Sequence, residues 1–203
     1  MPLTKPQKHV INNDARFRVL ITGRRFGKTF LAINELAKFA SQPKQKVWYV
    51  APSYRQAKQI VWNELKERLI KHKWVKKINH SDLTITLKNN SHITLRGSDN
   101  ESSLRGVGIN FLVIDEFADV SKEAWYEVLR PTLSDTKGHA LFCGSPRGFG
   151  NWSYELFKLG ESNKDWSSFK YTTLEGGQVT DDEIEQAKQD LDLRTFQQEY
   201  EAT

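Results

Sequence analysis

The strongest constraint in this sequence is a junction. Arg18-Val19-Leu20-Ile21-Thr22 is a short apolar run rich in β-branched residues, Gly23-Arg24-Arg25-Phe26-Gly27-Lys28-Thr29 follows at once, and Phe30 to Ala40 carries apolar residues at helical spacing. The order is strand, loop, helix. Such a loop makes a phosphate cradle: backbone N–H groups converge on anionic oxygens, a lysine follows the β- and γ-phosphates, and a hydroxyl holds Mg²⁺. The dipole of the helix that starts there favours negative charge. Gly27-Lys28-Thr29 supplies the end of this pattern. Its strict form puts a glycine at the position of Thr22, four residues intervening before Gly27, whereas here Gly23 stands next to it. Gly-Lys-Thr also occurs by chance, so the strand before it and the helix after it carry the reading.

The pattern continues in the same sense. Lys46 to Ala51 reads as a second buried strand closed by Pro52, and Tyr54 to His72 as a helix with Ala57, Val61, Leu65 and Leu69 on one face. Leu83 to Leu87 and His92 to Leu95 alternate around Asn89-Asn90, a turn pair that tolerates positive φ, which predicts a hairpin. Phe111 to Ile114 is a third buried strand ending on Asp115-Glu116. Ser121 to Leu129 is a helix with Ser121 as N-cap and Pro131 as its stop, and Ala140 to Cys143 is a fourth strand ending on Gly144-Ser145-Pro146. Beyond Gly150 the pattern gives a helix over Trp152 to Leu159, a strand over Phe169 to Thr173, and an acidic amphipathic helix or pair over Asp181 to Tyr200. Alternating strands and helices predict an α/β fold with a mostly parallel sheet sandwiched by helices. Residues 1–150 form its core and residues 151–203 a small C-terminal subdomain.

A phosphate loop in a hydrolase needs carboxylates at the end of a neighbouring strand. Asp115 would hold Mg²⁺, together with Thr29, and Glu116 would orient the attacking water. An Asp-Glu pair is also a common solvated turn, but here it ends an apolar strand 87 positions after Lys28. A water-activating glutamate favours hydrolysis over transfer to a second substrate. Charge developing on the γ-phosphate calls for an arginine. Arg24 and Arg25 lie inside the loop and would act in cis, while Arg105, ten residues before Asp115, would reach a neighbouring subunit; Arg147 is a further candidate. Ser145, after the fourth strand, would sense the γ-phosphate, or simply sit in a strand-ending turn. Gln7 after Pro6 would contact adenine, or be an exposed polar residue.

Net charge is +5 over 203 residues, with 27% charged and 38% hydrophobic residues and a mean hydropathy of −0.62. No apolar run approaches the ~20 residues of a membrane span, and Met1 to His9 lacks an apolar secretory core, which points to the cytoplasm. The single Cys143 makes no internal disulfide, and His9, His72, His80, His92 and His139 show no metal spacing. Residues 1–80 hold 18 Lys and Arg against 4 Asp and Glu, whereas residues 81–203 hold 12 against 21. Such asymmetry suggests a polyanionic partner or, more plainly, solvated helix faces. Lys71, Lys73, Lys76 and Lys77 around Trp74 mix basic and aromatic residues as DNA-binding surfaces do, although lysines at a helix end also suit its dipole.

With these residues assembled, the chain resembles the ATPase domain of the large terminase subunit, the DNA-packaging motor of tailed bacteriophages. That family has a deviant phosphate loop with an arginine in place of the usual small residue, which Thr22 to Thr29 matches. Trp48 to Ala57 is similar to the segment after the second strand. Leu104-Arg105-Gly106 ahead of Val113-Ile114-Asp115-Glu116 is similar to the arginine-glycine turn and catalytic strand. Gly144-Ser145-Pro146 is similar to the coupling motif, usually a Ser/Thr pair before proline, so that Ser145 carries the role here beside Pro146. Pro6-Gln7 is similar to the adenine motif, and Arg194 to Glu201 to the end of a lid subdomain.

The resemblance implies a P-loop NTPase of the additional-strand, catalytic-glutamate type with a lid subdomain, the nuclease domain being absent from these 203 residues. It implies ATP and Mg²⁺ as cofactors, with residues 22–29 and Gln7 on ATP. Glu116 becomes the catalytic glutamate, and Arg105 a trans-acting finger with Arg24 as the cis candidate. The partners implied are double-stranded DNA, a portal protein, a small terminase subunit and copies of the chain in a ring. That ring is a pentamer when assembled and the isolated chain a monomer, working in the host cytoplasm at the procapsid portal vertex and not retained in the mature virion. The rival readings are a fragment of a two-lobed helicase, whose second lobe needs another ~150 residues, and a nucleotide-switch or DNA-binding module without turnover.

Overall fold

A computed structural model describes residues 2–203. Along the chain run α1 (Lys5–Ile11), β1 (Phe17–Thr22), α2 (Lys28–Ala40), β2 (Lys46–Ala51) and α3 (Tyr54–Ala57), which passes through π-helical Lys58–Trp62 into α4 (Asn63–Lys71). Next come β3 (Val75–Asn79), β4 (Thr84–Leu87), β5 (His92–Gly97), β6 (Phe111–Asp115), and π-helical Ala124–Leu129 leading into α5 (Arg130–Thr132). The chain finishes with β7 (His139–Gly144), α6 (Trp152–Ser162), β8 (Trp166–Tyr171), α7 (Thr173–Gly176), α8 (Asp181–Asp190) and α9 (Leu193–Tyr200). This is the expected α/β architecture, with mostly parallel strands flanked by helices. Among the described residues no helix is long and apolar enough to cross a membrane.

The chain divides into two compact units, residues 1–31 with 141–203, and residues 32–140. The boundary drawn at residue 150 from the sequence does not separate them: α6 and β8 belong with β1. In the first unit β8 lies parallel to β1, from Phe17 opposite Trp166 to Thr22 opposite Tyr171, and β7 is the other neighbour of β1. Every residue of β1 is buried, as a central parallel strand requires. The two units also redistribute the charge. The first holds 13 Lys and Arg against 13 Asp and Glu, the second 17 against 12. Residues 1–31, with 7 of the 18 basic residues of the N-terminal stretch, therefore fold with the acidic C-terminal helices into one neutral unit.

In the second unit the strands run β3-β4-β5-β2-β6. β2 is parallel to both β5 and β6, and β3-β4-β5 is an antiparallel meander. The hairpin turns at Asn89-Asn90 as expected, with Asn90 at φ 63°. Helix α3–α4 buries Ala57, Val61, Leu65 and Leu69, the four residues picked out by spacing. A strict repeat of four drifts by about 40° per step around an α-helix of 3.6 residues per turn. The wider π turn at Lys58–Trp62 takes up that drift, keeps the stripe on one face and brings in Trp62, 2% exposed.

Several expectations are corrected. The helix does not end at Leu129: it continues from the π turn through Arg130–Thr132 and stops one residue beyond Pro131, whose missing N–H removes a hydrogen bond to the preceding turn. Ser121 does cap that helix, its hydroxyl accepting from the Ala124 N–H at 3.0 Å. The strand expected at Phe169 to Thr173 is β8, shifted to Trp166–Tyr171, because Thr172 caps α7 with Glu175 reaching back in a capping box. Lysine-rich β3 shows no apolar alternation because it is an edge strand with a bulge. Val75 faces Leu87 and Lys77 faces Thr86, so Lys76 is the extra residue. Leu65 is fully buried, so Leu65→Ala will cost about 2–5 kcal/mol of stability in urea unfolding, whereas exposed Glu67→Ala will shift it by less than about 0.5 kcal/mol.

Candidate functional site

Thr22 closes β1 and Lys28 opens α2, so residues 23–27 must convert strand into helix within one short loop. Two left-handed residues do this, Arg25 at φ 59° and Gly27 at φ 93°. Mixing right- and left-handed residues points successive N–H groups the same way, which makes an anion-binding nest. Only glycine fits at 27, since a Cβ there would stand 2.5 Å from Gln178 Nε2 and 2.6 Å from Gln7 Nε2.

The hydrogen bonds of this loop are strongly polarised. Its carbonyls are tied back: Thr22 Oγ1 donates to Gly23 O (3.1 Å), Thr173 Oγ1 to Arg24 O (2.7 Å), and Gln7 Nε2 to Phe26 O (3.1 Å) and Gly27 O (3.4 Å). The first two N–H groups are also used, Gly23 donating to Tyr171 O and Arg24 to Glu199 O. By contrast, the N–H groups of residues 25–29 find no acceptor among the described residues. Five consecutive donors at the start of a 13-residue helix form a site for a polyanion. Lys28 Nζ is 3.4 Å from Thr22 Oγ1 and 3.5 Å from Ser145 Oγ. Thr29 is half-buried at the second position of α2.

The loop is anchored from below and at its sides. Phe26 is fully buried and stacks on Tyr171, with ring centroids 5.4 Å apart. Burial, followed by the Glu175 charge, pushes the Tyr171 phenol above its ordinary pKa, so it stays neutral and contacts His9 Nδ1 at 2.7 Å. Gly176 packs so closely that a Cβ would meet Phe26 Cα at 2.6 Å. Gln7 is 1% exposed. Its Oε1 accepts from Thr4 N–H in a capping box at the head of α1, so both ends of its carboxamide are engaged on backbone, and its Nε2 lies on the phosphate loop.

The arginines differ. Arg24 is exposed, and its guanidinium donates to the Glu199 carboxylate on α9. Arg25 is exposed in the loop. Arg105 lies in the second unit, exposed after the 3₁₀ turn Glu101–Leu104 and before Gly106 at φ 78°, with no hydrogen bond or ion pair among the described residues. Buried Leu104 fixes the turn beside it. Arg147 follows Pro146 in the first unit, and both line a cleft of about 410 Å³ with Phe149, Tyr154 and Arg194.

In the second unit β6 ends on Asp115, 4% exposed. Its Oδ2 accepts from the Tyr49 hydroxyl and its Oδ1 from the Glu116 N–H at 3.1 Å. Glu116 is left-handed, φ 46° and ψ 44°, an unfavourable conformation for a non-glycine residue and a mark of functional positions. Lys71 ends α4, Lys73 is left-handed at φ 58° in the following turn, and Lys76 and Lys77 are exposed on β3, where Lys76 donates to Asn90.

Tyr49, Thr173, Gln178 and Glu199 were not singled out from the sequence. Each meets its partner, Asp115 for Tyr49 and the phosphate loop for the others, across a long sequence separation that no local pattern encodes. The Thr4-x-x-Gln7 and Thr172-x-x-Glu175 spacings are capping boxes, and they are the local signals that would have exposed α1 and α7.

Comparison with known proteins agrees with this geometry. A family model described as terminase large subunit, T4likevirus-type, N-terminal, matches residues 19–203. The terminase large subunit of Escherichia phage T5 is 33% identical over 206 residues, covering 97% of this chain but 47% of that protein, so the chain spans less than half its relative's length. The large terminase ATPase domain of Thermus phage P74-26 superposes with a TM-score of 0.85 at 25% identity, covering 100% of this chain and 93% of that one. The large terminase of another thermophilic bacteriophage, solved with ATP-γ-S, has the same fold, with a TM-score of 0.81 at 20% identity, covering 100% of this chain and 53% of that one. A phosphate loop with five open N–H groups, in a chain matched almost throughout by that model, places the protein in the family of terminase large subunits, to whose N-terminal region it corresponds.

Proposed function

We propose that this chain is the ATP-hydrolysing motor domain of a viral terminase large subunit, which drives double-stranded DNA through a portal into a procapsid. The observation that carries the reading is the row of open N–H groups at residues 25–29 with Lys28 Nζ between two hydroxyls. A nucleoside triphosphate is the polyanion that such a row suits, with β- and γ-phosphates on Lys28. The relatives in phages T5 and P74-26 support a packaging motor over a helicase or a switch module.

Mg²⁺ fits the donors present. Thr29 offers a hydroxyl at the head of α2, and Asp115 is a buried carboxylate, both oxygen donors of the kind a hard divalent cation takes. When bound, the ion would neutralise charge on the β- and γ-phosphates. The chain's own residues do the rest. Lys28 follows the phosphates, and Glu116, fixed by its left-handed backbone, orients and polarises the attacking water. Ser145 touches Lys28 Nζ and so senses the γ-phosphate, passing its loss on through Pro146. Residues 151–203 serve as the lid: Thr173 and Glu199 within them bond the phosphate loop itself, so any change in that loop reaches α7 and α9.

Arg105 is the trans-acting finger, as its exposed position without a partner among the described residues allows, in a homo-oligomeric ring that also contacts the portal and a small subunit. Arg24 is the cis candidate and must leave Glu199 to reach a phosphate. The basic patch at Lys71, Lys73, Lys76 and Lys77 is the candidate DNA contact, and the work is done in the host cytoplasm at the portal vertex.

Three outcomes are expected. Glu116→Gln will lower steady-state ATP hydrolysis by at least about 10²-fold while ADP affinity stays unchanged in calorimetry, and an active variant would sink the hydrolase reading. Gly27→Ala will add about 1–3 kcal/mol of backbone strain and crowd Gln7 and Gln178, visible as a lower melting temperature and weaker ADP binding. Mixing Lys28→Ala subunits, which retain Arg105, with Arg105→Ala subunits will restore part of the hydrolysis that each lacks alone; no recovery in a verified mixed assembly would refute a finger acting in trans.

A further inference from the structure

We propose that Tyr49 is a positioning residue for the Asp115 carboxylate: its hydroxyl fixes the orientation in which Asp115 meets a divalent cation and thereby sets cation affinity. This rests on the reading of Asp115 as a metal ligand. Tyr49 lies in the middle of β2, whose residues Val47 to Ala51 are all buried. Apolar packing alone would be met there by phenylalanine, and a fully buried phenol is unfavourable unless its hydroxyl has an acceptor. The acceptor is Asp115 Oδ2.

Strand register brings the two together. Tyr49 is paired with Val113 on parallel β6, and Asp115 follows two residues later on the same face of the strand. The tyrosine ring spans that diagonal. The second carboxylate oxygen, Oδ1, accepts from Glu116 N–H, so one hydrogen bond comes from a side chain on β2 and one from the backbone immediately after β6. A carboxylate held at both oxygens cannot rotate freely, and a carboxylate oxygen, with two lone pairs, can accept from more than one partner. Donors of this kind orient a ligand, and losing one typically weakens metal binding about 10- to 100-fold. The same grip fixes the N–H of Glu116, whose left-handed backbone begins at that bond.

The test measures binding rather than turnover. Mn²⁺ affinity is read by electron paramagnetic resonance on the 203-residue chain saturated with ADP, for the wild type, Tyr49→Phe, Asp115→Asn and the double variant, and ADP affinity is measured separately in EDTA. Tyr49→Phe is expected to weaken Mn²⁺ binding roughly 10- to 100-fold, to leave ADP binding in EDTA unchanged, and to cause no further loss once Asp115 is Asn. Replacing Tyr49 by 4-aminophenylalanine, which keeps a donor at the same place, is expected to restore the affinity and keeps the test decisive if the phenylalanine variant folds poorly.

Wild-type Mn²⁺ affinity in Tyr49→Phe would overturn the proposal and leave Asp115 as a ligand. An equal loss in the Asp115→Asn background would reduce Tyr49 to packing. If Asp115→Asn itself binds Mn²⁺ like the wild type, Asp115 is not a ligand, and the proposal falls together with the reading beneath it.

Discussion

Five backbone N–H groups without an acceptor among the described residues are the constraint around which the first unit is built. Unpaired donors are costly where water is scarce, and a short loop would ordinarily close them on its own carbonyls. That escape is removed at each neighbouring position. Thr22, Thr173 and Gln7 donate to the carbonyls of residues 23, 24, 26 and 27, so the carbonyls face the protein and the amides are left for a ligand. Two distant parts of the sequence, around Gln7 and Thr173, join the adjacent Thr22 in serving one short loop. Gln7 can do so because a capping box fixes it at the head of α1, and Thr173 because Thr172 caps α7 beside it. Preorganisation of this sort places the cost of aligning donors in folding rather than in binding.

The parts legible in the sequence were those written in local pattern. β1, the loop and α2 follow from an apolar β-branched run, a glycine-lysine-threonine triplet and helical spacing, and β2 was read at its observed bounds of Lys46 and Ala51. The hairpin at Asn89-Asn90 follows from two residues that tolerate positive φ. Features set by tertiary contact were not legible. β3 looks like a solvated basic stretch because an edge strand is protected by lysines rather than packed by apolar residues, and its bulge breaks what alternation there is. The π turn at Lys58–Trp62 was implicit in the four-residue spacing of Ala57, Val61, Leu65 and Leu69, but it is decided by which face the helix buries. Lys28 and Thr29 of the loop, and Asp115 and Glu116 at the end of β6, announce themselves by type and place, whereas Gln7 and Thr173 on the loop carbonyls and Tyr49 on Asp115 show their part only through their partners.

The charge distribution shows how far a linear reading can mislead. Residues 1–80 carry a large basic excess and residues 81–203 an acidic one, which reads as a polyanion-binding face opposite an acidic one. In the folded chain the first unit takes 13 basic and 13 acidic residues, because only residues 1–31 of the basic stretch fall in it, together with the acidic helices α8 and α9. One contact makes the folding-back explicit: Arg24 of the phosphate loop donates to Glu199 of α9. The excess that remains sits in the second unit, 17 against 12, where Lys71, Lys73, Lys76 and Lys77 cluster around the end of α4 and the β3 edge.

That redistribution bears on the two arginines as well. An ion pair whose guanidinium is 68% exposed contributes only about 0–1 kcal/mol, because water screens it and the long side chain loses rotamer freedom to hold it. A triphosphate in the loop would offer Arg24 more charge at closer range, so Glu199 is a weak competitor, and exchanging one partner for the other costs little. The backbone bond from Arg24 N–H to Glu199 O is independent of that exchange. The Arg24 side chain could therefore leave Glu199 for an anion in the loop while its main chain stays attached to α9. Arg105 has no such alternative partner among the described residues, and its turn is fixed by buried Leu104 and left-handed Gly106. An exposed cation on such a turn would suit a site completed by another subunit, as proposed for Arg105, whereas one beside a local counter-charge would suit action in cis, as proposed for Arg24.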